Sequence, residues 1–182
     1  MHARFRLLNF LGFQLVWFAA AWGAGEGFTW LGPLALLVFA TLHLATSPVP
    51  ARDLRMLAIA LPLGLFVDSA FILAGWLDYA SPGPLGGLAP PWILAMWLGF
   101  ALTLHHSMAF LEGRPQAAAL LGLIGGPLAY WGAAQGFGAV DLLASPWLVY
   151  TALAVAWALA LPLMYRLESG WARRFAPAGA PA

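Results

Sequence analysis

The chain alternates long apolar stretches with short segments rich in Gly, Pro, Ser and acidic residues. A membrane-spanning helix needs about 20 mostly apolar residues, because the hydrocarbon core is about 30 Å thick and an α-helix rises about 1.5 Å per residue. Six stretches meet this requirement, at residues 5–22, 28–46, 55–77, 91–111, 116–135 and 146–166. Because the connections are short, the pattern predicts an all-α bundle of six transmembrane helices. We expect a single transmembrane domain over residues 1–170 and a short disordered cytoplasmic tail over 171–182.

The composition supports an apolar environment and excludes several classes of protein. Of the 182 residues, 63% are hydrophobic and 8% charged, whereas a soluble domain carries about 25% charged residues. The absence of Cys excludes a disulfide scaffold, a thiolate metal site and a Cys nucleophile. With no Lys and a net charge of +1, the chain has no broad basic face, so we expect no nucleic-acid partner.

The positions of the arginines predict the orientation of the bundle. Cytoplasmic loops of membrane proteins are enriched in Arg and Lys. The loops on one side of the predicted helices contain only acidic charges, from Glu26, Asp78 and Asp141. We therefore expect both termini to be cytoplasmic. All eight arginines fall on the terminal side, at Arg4, Arg6, Arg52, Arg55, Arg114, Arg166, Arg173 and Arg174.

Asp68 is the most informative ionisable residue of the predicted helices. It lies between Arg55 and Asp78, which places it near the middle of the third predicted helix. An ionisable side chain at that depth costs about 3 kcal/mol or more, so it calls for a functional or structural reason. Asp68 is a candidate general acid or proton relay. The alternative is a hydrogen bond that ties two helices together.

His105 and His106 lie next to each other in the fourth predicted helix, about two turns from its cytoplasmic end. Consecutive residues project about 100° apart, so the two rings cannot serve one site equally. We expect one of them to form an acid/base pair with Asp68, bridged by water or a substrate. The alternative is that each histidine only hydrogen-bonds a neighbouring helix. The candidate catalytic residues are Asp68, His106, His105 and Ser107.

Other polar residues of the predicted helices form a weaker set. Gln14 has a depth comparable with His105 and is predicted to reach towards the Asp/His group. Asn9 and His43 lie within two turns of the cytoplasmic surface, where water is expected to satisfy them. The candidate polar or substrate-binding residues are Gln14, Asn9, Ser69, Thr103 and Tyr130.

The fifth predicted helix carries a packing signal. Ala118, Gly122 and Gly126 recur every four residues, and small residues at this spacing let helix backbones approach closely. Pro127 leaves the carbonyl of Leu123 without its helical partner, which predicts a kink and a cavity near Tyr130.

The familiar cofactor and metal motifs are absent from the sequence. The histidines and Asp68 match no metal-ligand spacing, so no metal site is expected, and the sequence leaves the presence of a cofactor undecided.

The polar motifs together resemble an uncharacterised bacterial inner-membrane family, domain of unknown function 2878, from Leu8 to Leu167. The resemblance implies an inner-membrane location, and it implies that Asp68, His106 and Ser107 characterise the family better than His105 does. It also implies a link to membrane lipid, since members are expected to be encoded beside enzymes that modify unsaturated phospholipid chains. The motifs are Asn9, Phe13-Gln14, Trp17-Phe18, Asp68-Ser69, Pro91-Trp92, Phe100-Ala101, His105-His106-Ser107, Gly125-Gly126-Pro127-Leu128 and Tyr130.

Three functional hypotheses follow from the sequence. The first is a membrane-embedded enzyme, or an accessory subunit, that modifies the acyl chains of a membrane lipid with an intramembrane Asp/His pair. The second is a small proton-linked transporter or flippase component. The third is a scaffold whose Arg-bearing face binds a cytoplasmic lipid-modifying enzyme. The small-residue face of the fifth helix also allows an oligomer.

Overall fold

The computed structural model describes residues 3–84 and 86–174. The all-helical architecture predicted from the sequence is confirmed, with six α-helices and a two-stranded sheet in this part of the chain. The tail predicted from residue 171 is helical as far as Arg174, and residues 175–182 lie outside the described part. In chain order the elements are α1 (Ala3–Gly25), α2 (Leu31–Thr46), α3 (Pro50–Leu73), β1 (Leu77–Tyr79), α4 (Pro91–Ala101), α5 (Pro115–Phe137), β2 (Val140–Leu142) and α6 (Pro146–Arg174).

Four of these helices are long and apolar enough to cross a membrane. They are α1, α3, α5 and α6, with 23, 24, 23 and 29 residues. The remaining two are shorter, since α2 has 16 residues and α4 has 11. Many large apolar side chains face outwards, among them Leu15, Phe66 and Leu73, each at least 70% exposed. Hydrocarbon, in which apolar side chains are at no disadvantage, suits this surface better than water does.

Proline sets the start of four helices, because its missing N–H is not needed in the first turn. Pro50, Pro91, Pro115 and Pro146 each begin a helix. As a result α3 begins five residues before the predicted start. It ends at Leu73, four residues before the predicted end. Asp68 is therefore not near the middle of its helix. It lies five residues, or about 8 Å, from the carboxyl end of α3.

The fourth helix differs most from the prediction. It ends at Ala101, and the chain then runs through turns to a single 3-10 turn at Ala109–Leu111. Side chains from other helices donate hydrogen bonds to carbonyl groups that lack a helical N–H partner here. The amide of Asn9 donates to the carbonyl of Leu102, and the Tyr165 hydroxyl donates to the carbonyl of Leu104. Residues 101–106 are all buried, so this irregular backbone is covered by protein.

Helix α5 packs most extensively against α6 through the predicted small-residue face. Ala118, Gly122 and Gly126 are buried in this contact. A Cβ atom at Gly122 would overlap the carbonyl oxygen of Trp157 on α6, and one at Gly126 would lie 2.5 Å from the Trp157 ring. Glycine is therefore required for the observed separation of the two helices. Pro127 lies within α5, one residue after this face.

Two of the three loops predicted on the acidic side pair as a short antiparallel sheet. Asp78 of β1 lies opposite Asp141 of β2, and Tyr79 lies opposite Val140. The two aspartates are exposed, whereas Leu77 and Tyr79 are buried. The sheet thus turns the Tyr79 side chain back into the bundle.

Candidate functional site

Asp68 is completely buried, and its carboxyl group is surrounded by hydrogen-bond donors from three other elements. The Tyr79 hydroxyl of β1 donates to Oδ1 at 2.5 Å, and the Trp97 indole of α4 donates to Oδ2 at 2.6 Å. The Tyr130 hydroxyl of α5 also donates to Oδ1. Burial raises the pKa of Tyr79, and the neighbouring Asp68 adds to this effect, so the phenol keeps its proton and stays a donor. We call these four residues the Asp68 cluster.

The local sequence explains how the Asp68 cluster is assembled. Gly64 lies one turn before Asp68 on α3, and a Cβ atom there would lie 2.5 Å from the Trp97 ring. Glycine therefore leaves space for the indole to reach the carboxyl group. Tyr130 lies three residues after Pro127, and the β1–β2 sheet brings Tyr79 to the same point.

An apolar cavity of about 380 Å³ lies beside the Asp68 cluster, between α1, α4, α5 and α6. This volume falls in the range of about 300–1,000 Å³ that is typical of small-molecule sites. Tyr130 and Trp97 belong both to the cluster and to the cavity wall, and Gln14 contributes a primary amide to the wall. The aromatic residues that line the cavity are Phe13, Trp17, Trp97, Phe100, Tyr130 and Trp157.

Asp53, near the start of α3, is the centre of a second buried group. Nε2 of His106 lies 2.9 Å from its Oδ1, and Nε2 of His43 lies 3.3 Å from its Oδ2. The Ser47 hydroxyl donates to the same Oδ2 at 2.5 Å. We call His43, Asp53 and His106 the Asp53 cluster. Their ligand atoms all lie within 4.8 Å of one another.

Asn9 supports the Asp53 cluster from α1. Its Nδ2 donates to the Leu102 carbonyl at 3.0 Å and lies 3.3 Å from Nδ1 of His43. Its Oδ1 accepts hydrogen bonds from the backbone N–H and the hydroxyl of Ser107. Asn9 and His43 are 3% and 5% exposed, so protein groups satisfy them and the prediction of water contact is wrong.

A third polar group lies at the same end of the bundle as Asp53. It is held together by ion pairs. Arg55 donates through Nε and Nη2 to Glu168 of α6, at 3.0 and 2.8 Å. Arg52 pairs with Glu112. His105 lies 3.8 Å from both Glu112 and Glu168, and neither of its ring nitrogens has a hydrogen-bond partner within the described residues.

The structure thus separates residues that the sequence analysis placed in one site. The described hydrogen bonds of Asp68 go to two tyrosines and a tryptophan, so the predicted pairing of Asp68 with His105 or His106 is wrong. His106 pairs with Asp53 instead.

The remaining candidates take separate positions. Gln14 lines the apolar cavity and is not part of an Asp/His group. Ser69 accepts a hydrogen bond from the backbone N–H of Ala89, and Thr103 donates to the Phe100 carbonyl. Thr103 therefore stabilises local backbone, whereas Ser69 links α3 to the segment that precedes α4. Of the predicted polar residues, Tyr130 alone bonds directly to Asp68.

Sequence reasoning missed Tyr79, Trp97 and Asp53. Tyr79 and Trp97 look like interfacial or core aromatics in the sequence, and only the fold places their donors on Asp68. Asp53 lies in a segment predicted as a polar turn, beside Arg52 and Arg55. The one available signal was Pro50, which starts α3 early enough to include Asp53 in the helix.

These features define an all-helical protein with several helices fit to span a membrane and with two buried polar clusters. A family model described as "Protein of unknown function (DUF2878)" matches residues 6–163. The chain belongs to this family. No curated protein and no solved structure matches the chain.

Proposed function

We propose that this protein is a multi-pass inner-membrane protein that binds an apolar chain of a membrane lipid in the cavity beside the Asp68 cluster. It acts in acyl-chain modification, as a membrane-embedded enzyme or as an accessory subunit. The proposal rests on two residues that the cavity and the Asp68 cluster have in common. Tyr130 and Trp97 line an almost entirely apolar cavity of about 380 Å³, and both also donate hydrogen bonds to the buried carboxyl group of Asp68.

The polar groups of the cavity suit one end of a lipid chain. Tyr130 is the hydroxyl-bearing residue that belongs both to the Asp68 cluster and to the cavity wall, and both oxygens of Asp68 are occupied by donors. In this proposal Tyr130 contacts the ligand, and Asp68 orients that hydroxyl and exchanges a proton with it. Gln14, which has no hydrogen-bond partner within the described residues, offers its amide to an ester or hydroxyl group of the lipid.

A cavity-filling substitution tests lipid binding. Gly125 lines the cavity and a Cβ atom there meets nothing within 4 Å, so Gly125→Leu adds bulk at the cavity wall without a backbone clash at Cβ. Gly136→Leu is the matched control, because Gly136 is on the same helix, is equally unobstructed and lies outside the cavity lining. We expect lipid that copurifies with the wild type and with Gly136→Leu, measured by native mass spectrometry, to be lost from Gly125→Leu. Equal lipid in all three proteins would refute the proposal.

Complementation experiments distinguish a role in lipid modification from that of a scaffold or a transporter. In a deletion strain, lipid mass spectrometry is compared after complementation with wild type or with Asp68→Asn. An altered acyl-chain profile with Asp68→Asn supports a role in lipid modification. Full complementation by Asp68→Asn supports a scaffold for a cytoplasmic partner, and substrate movement in proteoliposomes that depends on a proton gradient supports a transporter.

We propose six membrane crossings with both termini cytoplasmic. The buried backbone of residues 101–106 supports a crossing by α4 and the turns after it, because irregular backbone is tolerated at membrane depth where protein covers it. Single cysteines test the orientation, since the chain has none. Leu143→Cys, on the β2 side, is expected to react with an impermeant maleimide on intact cells. Gln116→Cys, at the start of α5, is expected to react only after lysis; labelling of both on intact cells would contradict six crossings.

A further inference from the structure

Asp53 is a buried carboxylate whose charge is not matched by arginine. It is 0% exposed, although Arg52 and Arg55 lie one and two residues away from it along α3. Both arginines instead pair with Glu112 and Glu168. Within residues 3–84 and 86–174, the ionic partners of Asp53 are the imidazoles of His43 and His106. A neutral imidazole supplies no charge, so the charge of the cluster is left to be balanced by a proton or a cation.

The geometry of the Asp53 cluster is that of a ligand set. His43 comes from α2, Asp53 from α3 and His106 from the turns after α4, so three separate elements bring their side chains to one point. The Nε2 atoms of the two histidines face different oxygens of Asp53, at 3.3 and 2.9 Å. These separations are those of hydrogen bonds and also lie close to the edge of a coordination shell with metal–ligand distances of about 2.0–2.2 Å. The ligand atoms lie within 4.8 Å of one another, so they would move closer together around an ion.

We propose that His43, Asp53 and His106 bind a divalent transition-metal ion. Two imidazoles and one carboxylate are the ligand set that zinc and iron(II) take in sites with open positions. The ion would balance the charge of the buried carboxylate. The three protein ligands would leave at least one coordination position for water or substrate. This proposal is independent of the lipid-binding proposal, because none of the three ligands lines the cavity or belongs to the Asp68 cluster.

The surrounding groups determine what metal binding requires of each ligand. Binding through Nε2 places the ring proton of each histidine on Nδ1. Nδ1 of His106 has no hydrogen-bond partner within the described residues, so metal binding breaks no bond there, and the ring proton has no acceptor among those residues. At His43 the proton on Nδ1 would face the Nδ2 donor of Asn9, so metal binding replaces that 3.3 Å hydrogen bond, while the Asn9 amide stays anchored by Leu102 and Ser107. Ser47 holds the carboxylate in place by donating to Oδ2, as outer-shell groups commonly do.

Metal content is measured on detergent-purified protein that carries an affinity tag free of histidine. The protein is stripped with a chelator, reloaded with zinc, passed through a desalting column and analysed by inductively coupled plasma mass spectrometry. We expect the wild type to retain about one zinc per chain, as buried sites with three protein ligands do. His43→Gln and His106→Gln should lose most of it. His105→Gln is the matched control, because His105 adjoins His106, is also buried and makes no contact with Asp53 shorter than 4.0 Å.

Thermal stability is a second measurement, which tests the proposal on the wild type even if a histidine variant does not fold. Zinc should raise the thermal midpoint of the wild type and of His105→Gln, and a chelator should reverse the rise, because a ligand that binds only the folded state stabilises it. Cobalt should give a visible absorption band that His106→Gln lacks. Retention of zinc by His106→Gln equal to that of His105→Gln would overturn the proposal. So would a wild type that retains none of zinc, iron, manganese or cobalt and shows no thermal shift.

Discussion

The hydrogen bonds of Asp68 predict that two substitutions of similar size have different consequences. Oδ1 accepts from Tyr79 and Tyr130, and Oδ2 accepts from Trp97. An indole N–H can only donate, whereas a tyrosine hydroxyl both donates and accepts. In Asp68→Asn the amide oxygen therefore faces Trp97, and the two amide hydrogens point at the tyrosine hydroxyls. All three contacts persist in Asp68→Asn, and none persists in Asp68→Leu.

The magnitude follows from the number of contacts. Hydrogen bonds between membrane helices contribute about 0.6–1.7 kcal/mol each. Loss of all three in Asp68→Leu is expected to lower the free energy of unfolding by about 2–5 kcal/mol, while Asp68→Asn lowers it by about 1 kcal/mol or less. The assay is a reversible denaturant titration in mixed micelles, followed by tryptophan fluorescence. If Asp68→Asn destabilises the protein as much as Asp68→Leu does, the assigned pattern of donors and acceptors is wrong.

Two further predictions concern packing and charge. Gly122→Leu places a side chain against the Trp157 backbone and is expected to cost about 1–3 kcal/mol or more. Gly136→Leu is the control, because its Cβ meets open space and it lies outside the cavity lining. Equal unfolding free energies for the two variants would contradict the α5–α6 contact. Glu168→Leu removes the carboxylate that Arg55 contacts through two nitrogens. We expect Glu168→Leu to lower the free energy of unfolding by about 1–3 kcal/mol. Glu168→Gln should have a smaller effect, because its amide oxygen remains an acceptor for Arg55. The thermal midpoints of the two variants in detergent test this difference.

The sequence predicted the elements that depend on local physical chemistry. Apolar length predicted the helices, because a spanning helix requires it whatever its neighbours are. The repeat of Ala118, Gly122 and Gly126 identified the face of α5 that meets α6, because close approach of two helix backbones requires small residues at this spacing.

The same local signals were insufficient where the backbone leaves regular structure. Nothing in residues 102–111 is a strong helix breaker, and the apolar run continues through them. The helix ends at Ala101 because Asn9 and Tyr165, distant in sequence, satisfy the carbonyls of Leu102 and Leu104. Those partners are invisible until the bundle is assembled.

The polar sites also depend partly on local sequence and partly on the assembled bundle. The sequence by itself determined which residues are unusual in an apolar chain, since burying Asp68, His105 or His106 has a cost that does not depend on the fold. The tertiary structure alone decided the partners. It gave Asp68 two tyrosines and a tryptophan, and it gave His106 the carboxylate of Asp53. The physical reason is that desolvation belongs to a single residue, whereas a hydrogen bond of about 3 Å depends on where two separate helices place their side chains.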